Sequence, residues 1–121
     1  MNSRVTTPDG FVVISGDTRV CQEVEDFSRN ANVLVHEAFR RAPLEPFMET
    51  FPRIHSILDY HSDTISLGAM AQRAQVQTLM LTHLGPPPNN EVDEKAFSDD
   101  IKTGGYTGNC LVGRDLMSVT F

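Results

Sequence analysis

The 121-residue sequence predicts an α/β layered domain, on three observations. Apolar runs of strand length alternate with segments of helical periodicity, the pattern of strands and helices stacked in layers. The run ANVLVHEAF is almost continuously apolar, which suits a strand covered on both faces of its sheet. Turn chemistry punctuates the chain at PDG, at GPPP and at Gly104-Gly105.

The elements follow in order. Ser3–Thr7 and Phe11–Ser15 read as two strands, with PDG between them as a hairpin turn. Val20, Val24 and Phe27 recur at helical spacing, so 20–29 is expected to be a helix. ANVLVHEAF, 31–39, follows as a strand. Pro43 and Pro46 limit any helix over 40–50, and 51–60 carries no clear pattern. Ser62, Asp63 and Thr64 are N-cap residue types, and ISLGAMAQRAQ after them has helical periodicity. VQTLMLTHL is a further strand, stopped by GPPP. Glu91–Lys102 suits an acidic helix with Val92, Ala96, Phe97 and Ile101 on one face, closed by Gly104 and Gly105. NCLVGRDLMSVTF ends the chain as one or two strands. No repeat or linker divides the sequence, which reads as one domain over 1–121.

Composition narrows the function. Formal net charge is -6, and the only adjacent basic pair is Arg40-Arg41, so no nucleic-acid footprint is expected. An anionic substrate stays open, because a bound metal ion reverses the local field. Two cysteines, Cys21 and Cys110, are too few for a disulfide scaffold and read as free thiols. Cys21 sits near a helix start, but no histidine pairs with it, so it is not read as a nucleophile. No apolar run reaches spanning length and the N-terminus lacks an apolar signal core, so no membrane contact and a cytoplasmic location are expected.

Polar residues collect at strand ends. Asp17 follows VVISG, His36-Glu37 follows NVLV, and His83 follows LMLT. Ligands of open α/β sheets bind beyond the carboxyl ends of the strands, so these side chains are expected at one rim. His61, just before a helix, can reach the same rim by its loop. Asp and His together suit zinc or manganese. Each residue also has a plainer role. Asp17 with Thr18 can cap a helix, His83 can be a core or loop histidine, Glu37 a surface charge, and His61 a helix-start residue. His36 and Glu37 are neighbours in an extended segment and point to opposite faces, and Glu37 is favoured as the one facing the site. His55 is assigned no role.

Taken together, SGDT, LVHEAF, HSDT leading into an alanine-rich helix, and LMLTHL resemble, in that order, the second half of the metallo-β-lactamase-fold hydrolases. The branch it looks most like contains ribonuclease Z and the bacterial arylsulfatase-type enzymes, whose ending GRDLMSVTF also resembles. The resemblance implies the C-terminal half of an αββα sandwich: one mixed sheet with helices on its outer face. It implies that Asp17 bridges two metal ions, zinc or manganese, and that His83 binds the second. His61 would donate a proton to the leaving group, and Glu37 would orient it. The reaction implied is metal-dependent hydrolysis of a phosphoester, a phosphodiester included, or of a sulfate ester.

The departures shape the expectation. The family's H-x-H-x-D-H motif does not occur in the sequence, and one Asp with one His cannot hold two ions. The family pattern has Ser-Arg-Tyr after the last histidine, where this chain has HLGPPP; that favours a small ester over transfer RNA. Tyr60 stands before His61 where glycine is common. SRVTTPDGFVVISGDT begins inside a hairpin of the family fold, so the chain is expected to be a partial domain, inactive alone. Half a sandwich would expose an apolar sheet face. A second copy, giving a homodimer, or the missing N-terminal half is expected to cover it. The alternative is a noncatalytic dimerisation or interaction module in which Asp17 and His83 are relics.

Overall fold

A computed structural model of the chain describes residues 3–15, 22–41, 45–47, 50–53, 63–85 and 90–113. Their strands form one five-stranded sheet in the order β1-β2-β3-β4-β5. The strands are β1 (Ser3–Thr7), β2 (Gly10–Ile14), β3 (Val33–Phe39), β4 (Thr78–Gly85) and β5 (Asn109–Val112). β1 runs antiparallel to β2, and every later pair is parallel, so the sheet is mixed as expected. Three helices are described: α1 (Gln22–Phe27), α2 (Thr64–Arg73) and α3 (Glu91–Thr103). A 3-10 turn spans Glu45–Phe47, within the proline-limited stretch.

The PDG turn closes β1 onto β2 with Thr7 opposite Gly10. Gly10 takes φ 145°, and an added Cβ there would fall on the Asn32 side chain. Asn32 in turn accepts a hydrogen bond from the Phe11 N–H at 2.9 Å, which fastens the hairpin to the start of β3.

From β2 onward each parallel step needs a crossover. The strands are laid down in sequence order, and crossovers share one hand, so their helices fall on the same side of the sheet. That side holds the core. Val13, Leu34, Ala38, Leu79 and Leu81 of the sheet pack there with Val24, Leu67, Met70, Ala71, Phe97 and Ile101 of the helices. Burying each of the larger side chains is worth about 1.5–3 kcal/mol. α2 begins at Asp63, whose carboxylate accepts from the Ser66 N–H at 3.1 Å as an N-cap. α3 begins at Asn90, which accepts from Asp93 N–H at 2.9 Å. The two helices meet at backbone distance: a Cβ on Gly68 would strike the carbonyl of Ile101, and one on Gly104 would strike that of Ile65.

Several expectations are corrected. Val92 was placed on the buried face of its helix but is 77% exposed, because the core stripe of α3 is carried by Phe97 and Ile101. α1 ends at Phe27 instead of Arg29, and Val20 lies outside the described residues. The face opposite the helices is less bare than half a sandwich suggests. Val33 and Glu37 are buried at its centre, Val12, Val35, Met80 and Leu111 are half-buried, and apolar exposure is pronounced at Val5 and Ile14 on the hairpin. No described helix is long and apolar enough to cross a membrane.

Candidate functional site

Because β2 to β5 are parallel, their carboxyl ends share one edge of the sheet. The expected convergence of strand ends is therefore present in the backbone. β2 ends at Ile14, three residues short of Asp17, which lies outside the described residues together with His55 and His61. Cys21 and Tyr60 also lie outside them. His83 lies within β4 near this edge.

β3 and β4 stay in step from Val33 opposite Thr78 to Glu37 opposite Thr82. The register then shifts, and Ala38 faces Leu84. His83 is the extra residue on β4. Such insertions bend a strand and re-aim its side chains, and they gather next to active sites. A level strand end would have left residue 83 paired with Ala38.

His36 and Glu37 do take opposite faces. His36 lies between Leu34 and Ala38 on the helix side, and it is fully buried. Its Nδ1 is 2.8 Å from the carbonyl oxygen of Glu37. A carbonyl only accepts, so Nδ1 carries the proton and Nε2 is left as an acceptor. Nε2 has no partner among the described residues. Burial holds the ring below its ordinary pKa of 6.5, outweighing the hydrogen bond to Glu37. Glu37, 5% exposed, faces away from the helices, so it is a buried carboxylate and not a solvated charge.

A second group of polar side chains secures this edge. Arg40, just beyond β3, donates its N–H to the carbonyl of Gly85 at 2.7 Å. Its guanidinium reaches Asp100 of α3, with Nε 2.7 Å from Oδ2. The Thr64 hydroxyl donates to the same Oδ2 at 2.8 Å. Phe39 and Asp63 form a parallel bridge beside them. These contacts join residues 60 and 36 positions apart, and no spacing in the sequence announces them. A polar residue on the inner side of an otherwise acidic helix is the only hint a sequence could carry.

Cys110 belongs to β5, and burial pushes its thiol up to about 11, with Lys102 opposing. At neutral pH the free side chain is therefore in its thiol form. Among the described residues no cluster of three His, Cys, Asp or Glu side chains could hold a metal ion. The described donors thus do not make a metal site by themselves.

No protein-family model matches the chain. A ribonuclease Z of Mycobacterium tuberculosis (strain H37Rv) is 31% identical over 118 residues, covering 96% of this chain and 41% of that protein. A ribonuclease Z of Mycobacterium sp. (strain KMS) is 36% identical over 95 residues, covering 77% of this chain and 33% of its own. Among solved structures, the metallo-beta-lactamase fold protein YhfI from Bacillus subtilis superposes with a TM-score of 0.65 at 22% identity. That match covers 92% of this chain and 39% of the other. The chain spans half or less of the length of the curated relatives it matches.

Proposed function

Since this chain carries the C-terminal half of the metallo-β-lactamase fold and has ribonucleases Z among its relatives, we propose that it supplies half of a hydrolytic site for phosphate or sulfate esters. The single observation that carries the reading is the register shift that sets His83 out of the β3–β4 ladder at the same edge as buried Glu37. Asp17 and His83 would each give one metal ligand, and a half bearing H-x-H-x-D-H would give the others. One Asp and one His fall short of the three protein ligands usual at a catalytic zinc. This chain alone is therefore inactive.

Zinc or manganese in the completed site would polarise the ester and supply hydroxide at neutral pH. The remaining work falls to this chain. His61, as the protonated imidazole, would give its proton to the departing oxygen. Glu37, held on the rigid central strand, would accept a hydrogen bond from the other ring nitrogen and keep the imidazole in the right tautomer and direction.

The test is complementation. The chain is mixed with a half carrying H-x-H-x-D-H, and a chromogenic phosphodiester is assayed with zinc or manganese. Hydrolysis that is lost in His61→Ala and falls about 10²–10⁴-fold in Glu37→Gln supports the reading. No hydrolysis above background counts against it.

The exposed Val5 and Ile14 favour a second reading, a noncatalytic module that pairs with a second copy through the face opposite the helices. Size-exclusion chromatography with light scattering distinguishes it. A dispersed monomer contradicts the pairing, and a dimer that dissociates in Ile14→Lys supports it.

A further inference from the structure

We infer that the β5 edge of the sheet, with the stripe of α3 beside it, docks a second copy of this chain about a two-fold axis at Ser98. The inference does not depend on the hydrolytic reading, and its surface is not the one that carries Val5 and Ile14. Among the described residues β5 is the last strand of the sheet and pairs with β4 alone. An edge strand offers a row of N–H and C=O groups to a further strand, and proteins usually blunt it with charge, proline or a bulge. Asn109–Val112 has none of these: it is uncharged, lacks proline and stays in regular step with β4. Beside it runs an open groove of about 380 Å³. Glu91, Glu94, Lys95 and Ser98 of α3 form its wall, and residues 110–112 of β5 form its floor. Lys102, one helical turn beyond Ser98, acts electrostatically on Cys110 of the same strand.

The order of charge along this stripe selects the occupant. Residues four apart share a helix face, so Glu94, Ser98 and Lys102 form one row. The row is acidic at its start and basic at its end, with a small side chain between. A two-fold axis through Ser98 brings two such rows together antiparallel. Each Glu94 then meets Lys102 of the partner subunit, because both stand four residues from the axis. A parallel alignment would set Glu94 against its own copy and Lys102 against its own. Self-complementarity of this kind is what an isologous interface requires. The antiparallel arrangement also opposes the two helix dipoles. The same axis, perpendicular to the sheet, runs the two β5 strands antiparallel and edge to edge, the alignment in which they can exchange backbone hydrogen bonds. Formal net charge is -6 per chain, which disfavours unordered contact between copies. Opposite charges paired across the axis fix the register against that repulsion.

The test is sedimentation of this chain over a concentration series. The wild type is expected to form a reversible dimer. Glu94→Lys and Lys102→Glu are each expected to raise the dissociation constant about tenfold or more, since each sets like charges together twice across the axis. The double variant Glu94→Lys/Lys102→Glu restores opposite charges and is expected to recover dimerisation, which independent surface effects would not do. Should a charge variant fail to fold by circular dichroism, Ser98→Lys puts two ammonium groups face to face on the axis and is expected to dissociate the dimer. A wild type that is monomeric throughout overturns the inference. So does a double variant no more dimeric than the singles. A dimer that withstands Glu94→Lys, Lys102→Glu and Ser98→Lys but dissociates in Ile14→Lys uses the opposite face of the sheet and overturns it as well.

Discussion

Glu37 pairs with Thr82 across the β3–β4 ladder, and the next pair in register is Ala38 with Leu84. His83 is the residue the ladder passes over. A buried carboxylate therefore ends the regular part of the central strand pair, and an imidazole-bearing residue is inserted at the level just beyond it.

Substitution of His83 separates the ligand reading from the plainer one. If the side chain serves a metal, His83→Ala in the complemented protein lowers zinc retention by at least about tenfold, the least that loss of an outer-shell partner causes. In chelator the same variant of this chain then melts within a few degrees of wild type. Loss of about 2–5 kcal/mol in chelator would instead identify His83 as a core residue whose removal leaves a cavity.

Acid should destabilise the chain through His36. Burial lowers its pKa in the folded state below the ordinary 6.5. Between those two values the unfolded chain binds the proton and the folded chain does not, so stability falls as pH falls. Above 6.5 both states are neutral and His36 contributes no slope. Thermal melts from about pH 7 down to about pH 5 are expected to show a shallower decline in His36→Gln than in wild type. Parallel declines would mean that the ring titrates alike in both states.

Gly68 is the point where α2 and α3 touch. A methyl group there would occupy the space of the Ile101 carbonyl, which belongs to a helix and cannot swing aside. Gly68→Ala is expected to cost about 1–3 kcal/mol despite alanine's better helix propensity. An unchanged or raised melting temperature would show that the helices can separate without penalty.

Much of the architecture could be read from local pattern. Val24, Leu67, Met70, Phe97 and Ile101 repeat at helical spacing, and each is buried where its helix meets the sheet. VLVHEAF is apolar on both sides because it is the central strand, with β2 and β4 on its flanks. Asp63 and Asn90 cap their helices as their residue types allow. Val92 departs from the pattern because periodicity names a stripe but not where the stripe stops, and the buried stripe of α3 is Phe97 and Ile101.

By itself the sequence determined which segments are strands, which are helices, and which strand ends carry a carboxylate or an imidazole. These depend on residue type and on spacings of two to four positions, which local backbone geometry translates directly. The tertiary structure alone decided that His83 falls at a register shift and that Asp100 joins Arg40 to Thr64. Register is a relation between two strands, and the shared Asp100 carboxylate is a relation among three segments. Both arise only when packing brings distant parts of the chain within hydrogen-bond reach.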